Sequence, residues 1–201
     1  MSFYDRLLEN TRVYQLWQAP FAESKWAPIQ KNNDLNKVRR VLDVSCGPGT
    51  NTRHFLHHDY VGIDINEDYI SFARDKYGKR FIAADVTRWE SNEEPFDFII
   101  LNSFLHHIDD QGCRTILNHL RGLLDASGSI HILDLVLPEE ASAARWLARA
   151  DRGGFARPLQ QWQDLFSKDF TETLFQPYSL GLLGVDLWKM VYFRGTAKDT
   201  D

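Results

Sequence analysis

With 201 residues, 43% hydrophobic and 25% charged, the chain has the size and composition of one ordinary globular domain. Its formal net charge of −5 argues against a nucleic-acid partner, which would call for clustered Lys and Arg. Two cysteines, Cys46 and Cys113, suggest neither a disulfide framework nor a zinc site. No apolar run approaches the ~18 residues of a membrane span, and the opening MSFYDRLLENTRVYQ lacks a signal-peptide pattern. The expected setting is therefore cytoplasmic, with no membrane partner.

Residues 1–40 are rich in aromatics (Tyr4, Tyr14, Trp17, Phe21, Trp26) and are expected to form a helix ahead of the first strand. Two readings stand for it: a lid that excludes water from a bound ligand, or an outer packing helix. Short apolar runs of strand type follow at Val41–Ser45, Tyr60–Ile63, Arg80–Ala83, Phe96–Leu101 and Ser129–Val136. Most are continuously apolar, as in strands buried on both faces of a parallel sheet. Helices are expected between them at Asn66–Tyr77, which opens with Asn and acidic residues, and at Asp109–Leu124. In the latter, Asp109 is the cap, and Cys113, Ile116, Leu117, Leu120 and Leu124 recur at helical spacing. Strands alternating with helices predict a doubly wound α/β sheet of right-handed βαβ units.

The segment LPEEASAARWLARADRGGFARPLQQW starts at Leu137. Pro138 and two glutamates suit a helix start, and Arg145, Arg149 and Arg152 share one face. That face is either solvated or turned to an acidic ligand, and Gly153-Gly154 offers a hinge. Residues 137–168 are accordingly read as a helical cap. The runs Phe170–Gln176 and Asp186–Arg194 flank the turn-rich YSLGLLGV and predict a closing antiparallel hairpin within 169–196.

The chemistry concentrates in VLDVSCGPGTNT, Val41–Thr52. A buried strand ends near Asp43, passes through Gly47-Pro48-Gly49 and is expected to enter a helix at Thr50 or Asn51. Glycines there allow close approach of a ligand and unusual dihedrals, and a helix N-terminus suits an anionic group. Asp64 stands 21 residues beyond Asp43, at the end of the second strand, where a ribose diol is gripped. It also suits a helix cap. Asp85 ends the third strand, either accepting from an adenine amino group, with Val86 against the ring, or serving a turn. The fourth strand delivers Asn102, Ser103, Phe104, His106 and His107 to the same carboxyl edge. Ligands of open α/β sheets bind there.

The ordered set VLDVSCGPGT, GIDIN, AADV and DFIILNSFLHHI resembles the class I, Rossmann-like S-adenosylmethionine-dependent methyltransferases over about Val41–Leu135. The resemblance implies seven strands with an antiparallel last strand, a cofactor core at 41–136, and S-adenosylmethionine as cofactor, leaving as S-adenosylhomocysteine. It implies that Asp43, Ser45, Cys46, Gly47, Gly49 and Asn51 frame the methionine moiety. Asp64 and Ile65 would hold the ribose end, Asp85 and Val86 the adenine, and Asn102, Ser103 and Phe104 the wall near the sulfonium. Tyr14, Phe21 and Lys25 of the lid would complete the pocket, Lys25 pairing with the cofactor carboxylate.

The family's first loop glycine is Ser45 here, and this position is expected to avoid positive φ. The acceptor is expected to be a small molecule, with Asp134, Arg149, Arg152 and Arg157 as candidate contacts and Arg152 or Arg157 as the partner of an acidic group. Either His106 or His107 serves as a general base, or one packs inward while the other shapes the pocket. His54, His57 and His58 are read as surface residues, His131 as structural, and no metal is expected. The protein is expected to act as a monomer or homodimer. A non-catalytic cofactor-binding subunit and an NAD-dependent oxidoreductase are the rival readings. Against the latter, Thr52 stands where a dinucleotide fingerprint needs Gly or Ala.

Overall fold

The structure, a computed structural model, describes residues 11–91, 94–151, 154–182 and 185–198, with the backbone alone for 11–20 and 182. Helix α1 (Thr11–Asn32) precedes strand β1 (Arg40–Val44). Strand β2 (Asp59–Asp64), helix α2 (Glu67–Tyr77), β3 (Arg80–Ala83) and β4 (Phe96–Asn102) follow. Then come α3 (Asp110–Leu123), β5 (Leu124–Val136), α4 (Ala143–Ala150), α5 (Leu159–Phe166), β6 (Phe170–Leu182) and β7 (Val185–Ala197).

The seven strands form one sheet in the order β3-β2-β1-β4-β5-β7-β6. Strands β1 to β5 pair in parallel, and β7 runs antiparallel between β5 and β6. This is the doubly wound, mostly parallel sheet with an antiparallel last strand that the sequence predicts. The sheet order reverses at β1/β4, so β1 and β4 diverge in their onward connections and open a crevice at their carboxyl ends.

Alternation along the strands feeds two cores. Leu42, Val44, Val61, Ile63, Ile99, Ile130, Ile132, Val191 and Phe193 face one side, under Ile116, Leu117 and Leu120 of α3 and Trp162 and Phe166 of α5. Val41, Tyr60, Ile100, Leu133 and Tyr192 face the other, under Trp26 and Ile29 of α1 and Ile70 and Ala73 of α2. The expected caps hold: Asn66 accepts from the amides of Asp68 and Tyr69, and Asp109 from that of Gly112. His131 is fully buried, bonded to Ser129 and Tyr192 and stacked on Phe98, a structural residue as expected.

Three local expectations fail. No α-helix follows the glycine turn; a single 3-10 turn, Thr52–His54, occupies its place. The chain must return along the length of β2, on the order of 20 Å at about 3.3 Å per residue. The few residues between Gly49 and Asp59 would reach too short a distance at the ~1.5 Å rise of an α-helix. Trp26 of α1 and Phe55 fill the space on that face instead. The cap helix begins at Ala143 rather than at Pro138, because Ser142 accepts from the Arg145 amide as its cap. The Arg145 guanidinium then bonds the carbonyls of Pro138 and Glu139, holding that stretch in a non-helical path. Finally, most of YSLGLLGV is strand, with β6 and β7 paired out to Leu182 and Val185 across a register shift at Leu180/Gly181.

Candidate cofactor and acceptor site

The loop after β1 is held from beneath and from the side. Beneath it, Asp43 is fully buried and accepts from the Tyr60 hydroxyl at 2.7 Å and from the Asn51 amide at 3.1 Å. Burial pushes the Asp43 carboxyl up to about 7, against the lowering effect of the Tyr60 and Asn51 hydrogen bonds, while the Asp64 charge adds to the rise. Asn51 in turn accepts from the Asn102 side chain at 2.9 Å, which ties the loop to the end of β4. At the side, Asp64 Oδ2 accepts from the Gly47 amide at 2.9 Å, and Asp64 Oδ1 from the Asn66 amide at 2.9 Å. A carboxylate has about four lone-pair sites, so Asp64 keeps acceptor capacity for a ligand hydroxyl.

Backbone conformation makes room. Gly47 has φ +54°, and a side-chain carbon built there would meet no atom within 4 Å, so this backbone borders open space. Gly49, at φ +80°, could bear no side chain, since its carbon would fall 2.7 Å from the Tyr77 ring. Ser45 adopts φ +55° in spite of its side chain, contrary to expectation. Its hydroxyl reaches Asp64 at 3.4 Å, a local partner that helps a polar residue hold a left-handed conformation.

The resulting cleft is lined by Ser45, Gly47 and Asn51 from the loop, Asn102 and Ser103 from the β4 end, and Lys25 and Trp26 from α1. Helix α1 is latched to the far rim: Trp26 stacks flat on His54 at 4.1 Å, and Arg53 pairs with Glu23 at 2.8 Å. Lys25 donates to the Ser103 hydroxyl at 3.0 Å. Burial lowers its pKa to about 8, although the Asp134 and Asp151 charges oppose the fall.

Beyond Lys25 lies a second cluster. Asp134 is fully buried and accepts from Leu105 N at 2.8 Å, Leu135 N at 2.7 Å and His106 Nδ1 at 2.6 Å. His106 Nε2 stands 3.3 Å from Asp151 at the end of α4, and the His107 ring lies 4.2 Å from that of His106. Burial alone would lower the His106 pKa, but Asp134 and then Asp151 outweigh it and raise it to about 9. At neutral pH the ring is an imidazolium with no lone pair for an acceptor's proton, the opposite of what a general base needs.

Residues 41–128 match the methyltransferase domain family, and the whole chain carries the corresponding seven-stranded fold. The chain has the class I methyltransferase fold. An uncharacterized methyltransferase of Mycobacterium tuberculosis is 32% identical over 103 residues, 49% of this chain and 51% of that protein. A trans-aconitate 2-methyltransferase of Klebsiella pneumoniae is 26% identical over 174 residues, 80% of this chain and 62% of that protein. These matches span about half to five-eighths of the relatives' lengths. The N-methyltransferase NodS of Bradyrhizobium japonicum, solved with S-adenosyl-L-homocysteine, superimposes with a TM-score of 0.74 at 18% identity, over 97% of this chain and 96% of that one.

Within this fold, several expected contacts have other work. Asp43 and Asp134 have no accessible surface and orient Asn51 and His106 rather than touching a ligand. Val86 is buried in the core, and Phe104 packs half-buried against it. Cys46 borders the cleft but is buried, and burial pushes its thiol pKa up. Phe21 turns away, edge-on to Trp188 at 5.0 Å. Arg157 is buried and spends its guanidinium on Asp110, the carbonyls of Leu105, Ile108 and Phe155, and the Trp162 ring. It braces the His106 loop and leaves little for a ligand.

Asp85 is exposed, its carboxyl held below the usual range by the Thr87 side chain and then the Thr87 amide. Ile65 stands 75% exposed beside Asp64. Arg149 is exposed. Arg152 and Gly153 lie outside the described residues, as does the Tyr14 side chain. Sequence reasoning missed His54 as a wall of the cleft, because the absent helix would have carried it away. It also missed Asp151, which its arginine neighbours in ARADRGG obscured, although a lone acid in a basic stretch was a usable signal.

Proposed function

We propose that this methyltransferase binds S-adenosylmethionine along the carboxyl ends of β1 to β4 and methylates a small acidic acceptor at the Lys25–His106 end of the cleft. The observation that carries the reading is the fixing of Asp64 by Gly47 N and Asn66 N beside an open backbone surface. That arrangement suits a ribose against Asp64 and a methionine moiety along Gly47, with the exposed Ile65 offering an apolar face to the adenine. Asp85, at the next strand end, suits the adenine amino group.

When bound, the cofactor would supply an electrophilic methyl group on a cationic sulfur to the acceptor's lone pair. The protein's share is positioning and water exclusion. Helix α1, held down by the Trp26–His54 stack, covers the cleft as its lid. Lys25, bonded to Ser103, places a positive group at the inner end, which favours an acceptor that arrives already ionised. A carboxylate oxygen needs no general base, which agrees with a His106 that lacks a free lone pair. The trans-aconitate 2-methyltransferase among the relatives is, by its name, an enzyme of an acidic small molecule. Residues 137–168 form the cap over the acceptor, with Arg149 on its exposed side.

Titration calorimetry with S-adenosylmethionine tests the cofactor half: one saturable site in the wild type, and at least tenfold weaker binding in Asp64→Ala, are expected. Absence of binding, or preference for NAD, would overturn the reading. Methyl transfer from labelled cofactor to small carboxylic acids, compared with amines and phenols, tests the acceptor half.

A further inference from the structure

We infer that His106, His107 and Asp151 form a binding site for one divalent transition-metal ion where the connection after β4 meets the end of α4. His106 and His107 come from the connection between β4 and α3, and Asp151 from the end of α4, so the fold joins two distant segments here. One donor atom from each lies within 4.8 Å of the others. The His106 Nε2 to Asp151 oxygen distance of 3.3 Å equals the spacing of two tetrahedral ligands about 2.0–2.1 Å from a common ion. His107 is exposed, and its ring lies 4.2 Å from that of His106.

A second, independent observation comes from Asp134. Its buried carboxylate takes the Nδ1 side of His106 at 2.6 Å, leaving Nε2, whose proton the ion would displace, as the ring atom aimed at Asp151. A carboxylate behind a ligating imidazole fixes its orientation and raises its basicity, as in the outer shell of protein metal sites. Two imidazole nitrogens and one carboxylate oxygen form a donor set for Zn²⁺, Fe²⁺ or Co²⁺ rather than for Ca²⁺ or Mg²⁺.

Three protein ligands leave positions open, and there an oxygen of the acceptor would bind and be held for methylation. That role rests on the function proposed above; the site itself does not. The sequence pointed to no metal because it weighed His54, His57 and His58, which belong to a different part of the fold.

The test uses full-length protein without an affinity tag, stripped with a chelator and titrated with Zn²⁺ or Co²⁺ alone. One ion per chain is expected, with at least tenfold weaker binding in His107→Ala and in Asp151→Asn. A tetrahedral or five-coordinate visible spectrum with Co²⁺ would mark the donor set. No binding by the wild type, or binding unchanged in both variants, overturns the site. S-adenosylmethionine is titrated separately: metal bound without cofactor bound would sink the proposed function and leave the site standing, and the reverse would sink the site alone.

Discussion

Between pH 4 and pH 7 the protonation of Asp43 alters what the glycine loop rests upon. Burial raises this carboxyl from 3.8 to about 7 in the folded chain. The native state therefore holds a proton that the unfolded state releases, and stability falls as pH rises through that window. Asp43→Asn is neutral throughout, so the stability difference between wild type and variant should shrink steadily as pH climbs from 4 to 7. Melting temperatures at half-unit pH steps would show it, and a difference constant with pH would exclude the effect. The residue scale is also where sequence reading was weakest. Asp64, Gly47, Asn51 and Asn102 meet as the motif order implied, but Asp43 and Asp134 carry the same residue type and are spent inside. Whether a carboxylate meets a ligand or a neighbouring amide depends on depth, which spacing along a strand does not encode.

Helix α1 owes its seat to a few contacts with the loop that replaced the expected helix. The Trp26–His54 stack excludes water, so burial and then the Arg53 charge lower the His54 pKa to about 4, against the pull of Glu23. Unfolded or undocked, this histidine gains a proton near pH 6.5, and docked it does not. Docking therefore loses stability as pH drops from 6.5 towards 4. Hydrogen exchange across residues 21–32 should quicken at pH 5 relative to pH 7.5, after correction for intrinsic rates, and His54→Phe should abolish the change. The exposed Arg53–Glu23 pair adds at most about 1 kcal/mol and would not produce this dependence. Elements whose own periodicity pays for their burial, such as α3, were legible to within a residue. The Thr52–His54 turn was not, because its form follows from the distance to β2, a tertiary quantity.

At the scale of the whole molecule, one sheet separates two cores. Trp162 belongs to one, where its indole donates to Leu135 O at 2.9 Å, and Trp26 to the other. Trp26→Phe and Trp162→Phe should each cost about 1–3 kcal/mol from lost packing and, for Trp162, a lost hydrogen bond. Because the two share no partner, the double variant should lose their sum to within about 0.5 kcal/mol. Denaturant midpoints with an unchanged slope would establish this; a large excess would mean that the faces communicate through the sheet. The architecture was readable from the sequence because buried parallel strands leave continuous apolar runs that few other structures produce. The full length of the hairpin was not, since Gly181 reads as a turn yet sits at a strand irregularity.

The order β5-β7-β6 also governs how this molecule comes into being. Strand β6 leaves the ribosome before β7, yet β7 is its only strand partner among the described residues. Until the last strand arrives, β5 presents a bare edge and β6 has no place in the sheet. The nascent chain thus carries a nearly complete cofactor edge attached to an unfinished barrier against strand-to-strand association, and β7, made after all the strands it must join, is the one that seals it.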